Sequence, residues 1–163
     1  MSKKKVGVII ACHGDVPLDY IEENKEAFEM AESHIEVLSN NTRDLPRTRE
    51  TDPFKYDVED LIEKIKEKRE YQSIEAGYMS FCGPSIPEAV ENALKNGAEK
   101  VLVIPLFNVK SKHSVVDIPQ IVEKAKAKNP NADVSYLEPG DDEIKNLLAE
   151  ILIKKIDKSI GDE

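Results

Sequence analysis

Histidine is scarce in this chain, and two of its three histidines stand in matching contexts. His13 closes the apolar run Val6-Gly7-Val8-Ile9-Ile10-Ala11-Cys12. His113 lies a few residues past a second run, Val101-Leu102-Val103-Ile104-Pro105-Leu106-Phe107. Each run has the length and make-up of a strand buried on both faces, the kind that parallel sheets use. Ligands of open α/β sheets bind outside the carboxyl ends of such strands. Two neutral imidazoles converging on one crevice there suit a divalent metal or a proton relay.

The elements that must carry these residues alternate strand and helix, which implies a parallel sheet. After β-strand 6–12, the loop Gly14-Asp15-Val16-Pro17 leads into a helix from about Leu18. Tyr20, Ile21, Ala27, Phe28, Ala31, Ile35 and Leu38 keep a helical spacing, so this helix is expected to continue through Leu38, with a short strand at His34-Ile35-Glu36-Val37-Leu38 as the alternative. His34 falls on its apolar face and reads as a core or interface residue. Residues 40–53 break the pattern and read as a linker. Asp52-Pro53 then opens a helix to about Glu70, with Asp as N-cap and Pro at the first helical position. Strand two is expected at Ser73–Met79. Ser85-Ile86-Pro87-Glu88 is a capping box for the next helix, which stops at Asn96-Gly97. Strand three covers 100–107. Asp117-Ile118-Pro119 caps and opens a helix ending at Asn129-Pro130. Strand four is Asp133–Leu137, and a last helix runs from Asp142 to about Asp157. The fold class is therefore α/β: a single doubly wound domain, residues 1–163, with a four-stranded parallel sheet and an extra helix after a long linker.

Direction of travel gives the linker a task. A helix descending from the ligand edge at about 1.5 Å per residue ends about 30 Å lower. A second descending helix needs the chain to climb back first, and fourteen extended residues reach at most about 45 Å. That climb would bring Arg47 and Arg49 near the ligand edge.

Bulk composition narrows the function. A length of 163 residues suits one domain with a sizeable core. The net charge of −9 argues against general nucleic-acid binding, which needs a basic footprint. The apolar runs are too short to cross a bilayer. Lys3-Lys4-Lys5 and the run after it lack a small-residue cleavage site, so the expected address is the cytoplasm, with Cys12 and Cys82 reduced.

The segment Val101–Pro119, with His-x-x-x-Asp-Ile-Pro at 113–119, resembles the short CbiX-type sirohydrochlorin chelatases, class II tetrapyrrole metal chelatases related to ferrochelatase. The resemblance extends to Ala11-Cys12-His13-Gly14, where that family has a His-Gly after strand one, and to Phe81-Cys82-Gly83-Pro84-Ser85-Ile86-Pro87-Glu88-Ala89. It covers about two thirds of the chain, with residues 40–72 the least matched. It implies insertion of cobalt, iron or nickel into a carboxylate-rich tetrapyrrole, with no cofactor beyond the divalent metal substrate. It also implies a homodimer enclosing the macrocycle. His13 and His113 are then the metal ligands and proton acceptors. The ring must lose two pyrrole protons, and an unperturbed imidazole, pKa about 6.5, can accept one. Lys110 and Lys112 form a basic patch for substrate carboxylates, and Arg47 and Arg49 offer bidentate contacts to them. Ser85 and Ser114 complete the expected substrate contacts.

The chain departs from many relatives in lacking a Glu in Met79-Ser80-Phe81-Cys82 and in Ser114-Val115-Val116. That leaves open a carrier that binds tetrapyrrole or metal without turnover. A bis-histidine metallohydrolase would need a third ligand and a general base. A nucleotide-binding domain would need a glycine-rich first loop, and the chain has 7 Gly and no G-x-G-x-x-G. Cys12 and Cys82 have two readings: thiolates favouring a softer metal or redox control, or small buried residues lining strands. Asp117 is read as a helix N-cap.

Overall fold

A computed structural model describes residues 5–14, 16–24 and 35–160. Its four strands are β1 (Val6–Cys12), β2 (Ser73–Tyr78), β3 (Lys100–Pro105) and β4 (Asp133–Tyr136). They form one all-parallel sheet in the order β2-β1-β3-β4. Among the described residues six α-helices accompany them: α1 (Leu18–Glu23), α2 (Ile35–Thr42), α3 (Pro53–Lys68), α4 (Ile86–Lys95), α5 (Ile118–Lys128) and α6 (Asp142–Ile160).

Alternation along β1 builds two cores. Ile9 and Ala11 face α4 and α5, packing with Ile86, Ala89, Val90 and Ala93, with Val101 and Val103, and with Ile118 and Val122. Val8, Ile10 and Cys12 face the other way, onto Val58 and Ile62 of α3 and onto Ala76, Tyr78 and Cys82. Successive strand side chains point to opposite faces, so a strand buried on both faces must be apolar throughout. Each fully buried Ile or Val contributes about 1.5–3 kcal/mol.

The helix starts follow from their caps. Asp52 accepts from the Lys55 amide at 2.9 Å ahead of Pro53. Ser85 and Glu88 form the reciprocal capping box of α4. Glu88 also takes both oxygens to Arg43 Nη2, at 3.0 and 2.8 Å. Backbone donation from Ser85 and the Arg43 guanidinium hold its carboxyl down at about 2.

Two expectations are corrected. The helix from Leu18 does not run on unbroken: it closes at Glu23, where Asn24 leaves helical geometry. The Asn24 side chain donates back to the Tyr20 carbonyl at 2.9 Å, the local competition that suits Asn to helix ends. Residues 25–34, with His34, lie outside the described residues. The linker is also shorter and more compact than a climbing extended chain. Helix α2 persists to Thr42, and residues 43–52 then fold into turns, with Leu45 N–H donating to Thr42 O and Asp52 N–H to Thr48 O. Leu18 N–H donates to Thr51 O at 2.8 Å. The linker thus does pass the start of α1, close to the carboxyl edge of the sheet, by a different route.

Candidate metal centre at the carboxyl edge of β1 and β3

The register between β1 and β3 pairs Ala11 with Pro105, so both strands end level. His13 follows β1 directly. Its carbonyl accepts from Ser80 N–H at 2.9 Å, and the Cys12 carbonyl accepts from Met79 N–H at 2.8 Å, which ties this exit to that of β2. Gly14 comes next with φ +86, in the left-handed region. A Cβ there would lie 2.0 Å from the Ser80 carbonyl oxygen, so only glycine fits. The turn at Gly14 sends its carbonyl back to His13 Nδ1 at 2.8 Å. This accounts physically for a Gly after the His.

His113 is carried by the loop after β3. Ser111 and Ser114 bind each other: Ser111 N–H donates to Ser114 Oγ at 2.9 Å, and Ser114 Oγ donates to Ser111 O at 3.2 Å. Tyr136 of β4 donates its hydroxyl to Ser114 O at 2.6 Å. Ser114 is fully buried, so its hydroxyl shapes the loop and does not face the crevice. His113–Asp117 then forms a π-helical turn closed by Ile118 N–H to His113 O. Such turns are rare and gather at functional sites.

The two imidazoles meet, with ring centroids 5.3 Å apart. Phe81 lies 5.9 Å from His13, and Phe107 lies 5.9 Å from His113. A carbonyl can only accept, so His13 carries its proton on Nδ1 and keeps a lone pair on Nε2. His113 Nδ1 lies 2.7 Å from Asp117 Oδ2. The Asp117 side chain makes no cap hydrogen bond and its backbone is already helical, because the turn from His113 runs on into α5. The N-cap expectation for Asp117 is therefore corrected.

Metal–imidazole bonds are about 2.0–2.1 Å, and a ring nitrogen sits about 1.1 Å from the ring centre, so one ion held by two imidazoles at a tetrahedral angle needs centroids about 5.2 Å apart. The observed spacing meets that requirement. Among the described residues no group of three His, Cys, Asp or Glu side chains surrounds a common metal position.

The other expected residues divide. Lys110 and Lys112 are well exposed on the His113 loop, with Nζ atoms 3.7 Å from Glu138 and 3.8 Å from Asp117. Arg49 is exposed and forms a bidentate pair with Asp60, 2.8 Å for each bond. Ser85 is engaged in the α4 cap. Arg47 is buried, its side chain 4% exposed, and paired with the fully buried Asp52. It also donates to the carbonyls of Thr42 and Phe81.

That last contact shows what the linker arginine does. Phe81 has φ 63, a costly conformation for an aromatic residue. Ser39 Oγ accepts from its N–H at 2.8 Å, and Arg47 donates to its carbonyl, with the Thr42 hydroxyl, which donates to Leu38 O at 2.9 Å, 3.4 Å away. The α2–linker segment therefore clamps the loop that places an aromatic ring beside His13. The left-handed Phe81 and the second aromatic, Phe107, escape a reading of sequence spacing, since neither lies at a position whose residue type demands it.

Cys12 and Cys82 are both buried. Burial, with Cys82 adding to it, pushes the Cys12 thiol up to about 12; burial also raises Cys82. Thiols in such surroundings stay protonated, in keeping with the reading as strand-lining residues.

A family model described as CbiX matches residues 49–159, a stretch that contains His113 and follows His13. A sirohydrochlorin cobaltochelatase of Methanopyrus kandleri is 26% identical over 147 residues, covering 78% of this chain and 97% of that protein. A sirohydrochlorin cobaltochelatase of Methanocaldococcus jannaschii is 39% identical over 62 residues, but the match spans only 38% of this chain and 43% of that protein. Among solved structures, a putative cobalamin biosynthesis CbiX protein from Marinobacter aquaeolei superposes with a TM-score of 0.58 at 18% identity, covering 94% of this chain and 98% of that one. SirB from Bacillus subtilis subspecies spizizenii in complex with cobalt gives 0.53 at 19% identity, over 83% of this chain and 43% of that one. At these identities the two structures speak for the fold.

Replacing Arg47 by Ala strands the buried Asp52 charge and frees the Phe81 loop. The variant is expected to lose about 3–5 kcal/mol of stability in urea unfolding. A loss below about 1 kcal/mol would contradict the clamp.

Proposed function

Because the chain belongs to the CbiX family, we propose that it is a metal chelatase that inserts cobalt, iron or nickel into a carboxylate-rich tetrapyrrole such as sirohydrochlorin. The observation that carries this reading is the His13–His113 pair at 5.3 Å, each ring with Nδ1 tied to an acceptor and Nε2 left to bind. Relatives named as cobaltochelatases and ferrochelatases support the substrate class.

The chemistry asks for a site that gives up its metal. Insertion exchanges two pyrrole protons for one divalent ion. Two imidazoles bind that ion through single lone pairs and leave its other positions to the ring nitrogens. As the ion passes to the ring, each Nε2 lone pair is released and can accept one of the displaced protons. The net charge of −9 opposes a polyanionic substrate, so Lys110 and Lys112 beside His113 are assigned to its carboxylates. Phe81 and Phe107 offer apolar flanks to a flat ring. Arg49, Ser85, Arg47 and Ser114 are assigned no direct contact, as their polar groups are engaged within the protein.

The site is an open edge in a single chain. Five shallow, open clefts among the described residues are lined by other segments, and neither histidine borders them. A second copy would supply the missing wall, and α6 supports a homodimer. None of its residues is buried, while Leu147, Ile151, Leu152, Ile153, Ile156 and Ile160 are 50–64% exposed. At about 3.6 residues per turn these positions spread over more than half of the helix circumference, a pattern of helices packed on several sides. No described helix is long and apolar enough to cross a membrane, and the proposed place of action is the cytoplasm.

Anaerobic incubation of the protein with sirohydrochlorin and Co²⁺, Fe²⁺ or Ni²⁺, followed by absorbance, tests the activity. Catalysed insertion, abolished in His13→Ala and His113→Ala and with a raised KM in Lys110→Glu/Lys112→Glu, is expected. A spectral shift without turnover would make the protein a carrier, the reading that the absent glutamates favour. Sedimentation equilibrium is expected to give a dimer that Ile151→Glu/Ile156→Glu dissociates; a monomeric wild type would refute the role given to α6.

A further inference from the structure

We propose that Asp117 is a positioning residue for His113: its carboxylate fixes the proton on Nδ1, aims Nε2 into the crevice and makes His113 the stronger metal-binding member of the pair. The bond is short, 2.7 Å from Nδ1 to Oδ2, as charge-assisted bonds are. It is specific to the π-helical turn. Ile118 N–H closes the turn on His113 O, and the helical path runs from His113 through Asp117 into α5. Asp117 is therefore relieved of the capping duty that Asp-Ile-Pro otherwise suggests. Its side chain is 24% exposed, against 42% for His113, so the imidazole is the more accessible of the two groups. The second oxygen, Oδ1, faces Lys112 Nζ at 3.8 Å, a longer contact to a highly exposed lysine.

The partner of the other imidazole makes the contrast. His13 Nδ1 meets a neutral backbone carbonyl, that of Gly14 at 2.8 Å. Both partners accept only, so both rings are held with Nε2 free. A carboxylate also polarises the imidazole and raises its strength as a ligand, which a carbonyl does less well. The pair is thus unequal by construction. His113 with Asp117 is the anchoring side, and His13 with Gly14 is the weaker one. The tautomer follows from hydrogen bonding alone; its use in metal delivery rests on the chelatase reading.

The test uses metal-free, ¹⁵N-histidine-labelled full-length protein. Imidazole nitrogen shifts report which nitrogen of His113 carries the proton. The wild type is expected to show the Nδ1–H form only. In Asp117→Asn the carboxamide can turn either its oxygen or its NH₂ group to the ring, so the Nε2–H form is expected to appear. Co²⁺ affinity by calorimetry should then fall roughly 10–100-fold. An unchanged unfolding midpoint would show that the loss is not one of folding, and if the variant fails to fold, the wild-type spectrum decides alone. A wild-type His113 in the Nε2–H form would overturn the proposal, as would an Asp117→Asn protein with unaltered tautomer and Co²⁺ affinity. Neither readout needs a tetrapyrrole, so a failure of the chelatase reading registers separately, in the turnover assay.

Discussion

Parallel pairing of β1 with β3 brings His13 and His113 together across a long stretch of sequence. With Ala11 set against Pro105, the two strands leave the sheet side by side, and Leu106 N–H donates back to Ala11 O. The strand order reverses at this place: the connection from β1 leads out to β2, and that from β3 to β4 on the opposite side. Loops leaving in opposite directions open a crevice between them. That pairing depends on a central strand able to bury both faces, which Val8-Ile9-Ile10-Ala11-Cys12 provides. A change that weakened either core would move one imidazole against the other before it touched the chemistry.

Around that pairing, the surroundings serve to limit what the rings can do. Gly14 turns the chain so that its own carbonyl holds His13, and no side chain fits in its place. Ser111, Ser114 and Tyr136 fix the loop that carries His113. Arg47, Asp52 and Thr42 hold Phe81 in a backbone conformation it would not otherwise keep. These are polar groups spent on geometry. Several residues whose charge or hydroxyl invites a substrate role are thus committed to holding the site in shape. The lysines at 110 and 112 remain on the surface beside His113, which is why the proposed contact with substrate carboxylates falls to them.

Strand and helix order were legible because each signal was local. The two apolar runs, the Asp52-Pro53 start, the Ser85–Glu88 box and the Asn96-Gly97 stop all act within a few residues, and all stand in the structure. The histidine pair was legible through the position of each relative to a strand end. Beyond the two aromatics, three features were not. Asp117 looked like a cap because Asp-Ile-Pro usually is one, and only the π-helical turn upstream removes that role. Asn24 ends α1 against a continuing apolar rhythm, since its side chain takes the Tyr20 carbonyl. The burial of Arg47 depends on Asp52, Thr42 and Phe81 meeting in three dimensions, and charge alone says surface.

X-ray absorption at the cobalt edge of the Co²⁺-loaded protein measures directly whether both imidazoles hold one divalent ion at once. Two imidazole nitrogens at about 2.0–2.1 Å are expected in the wild type, and one in each of His13→Leu and His113→Leu. A cobalt ion with a single imidazole in the wild type, or a signal indifferent to either substitution, would contradict the account.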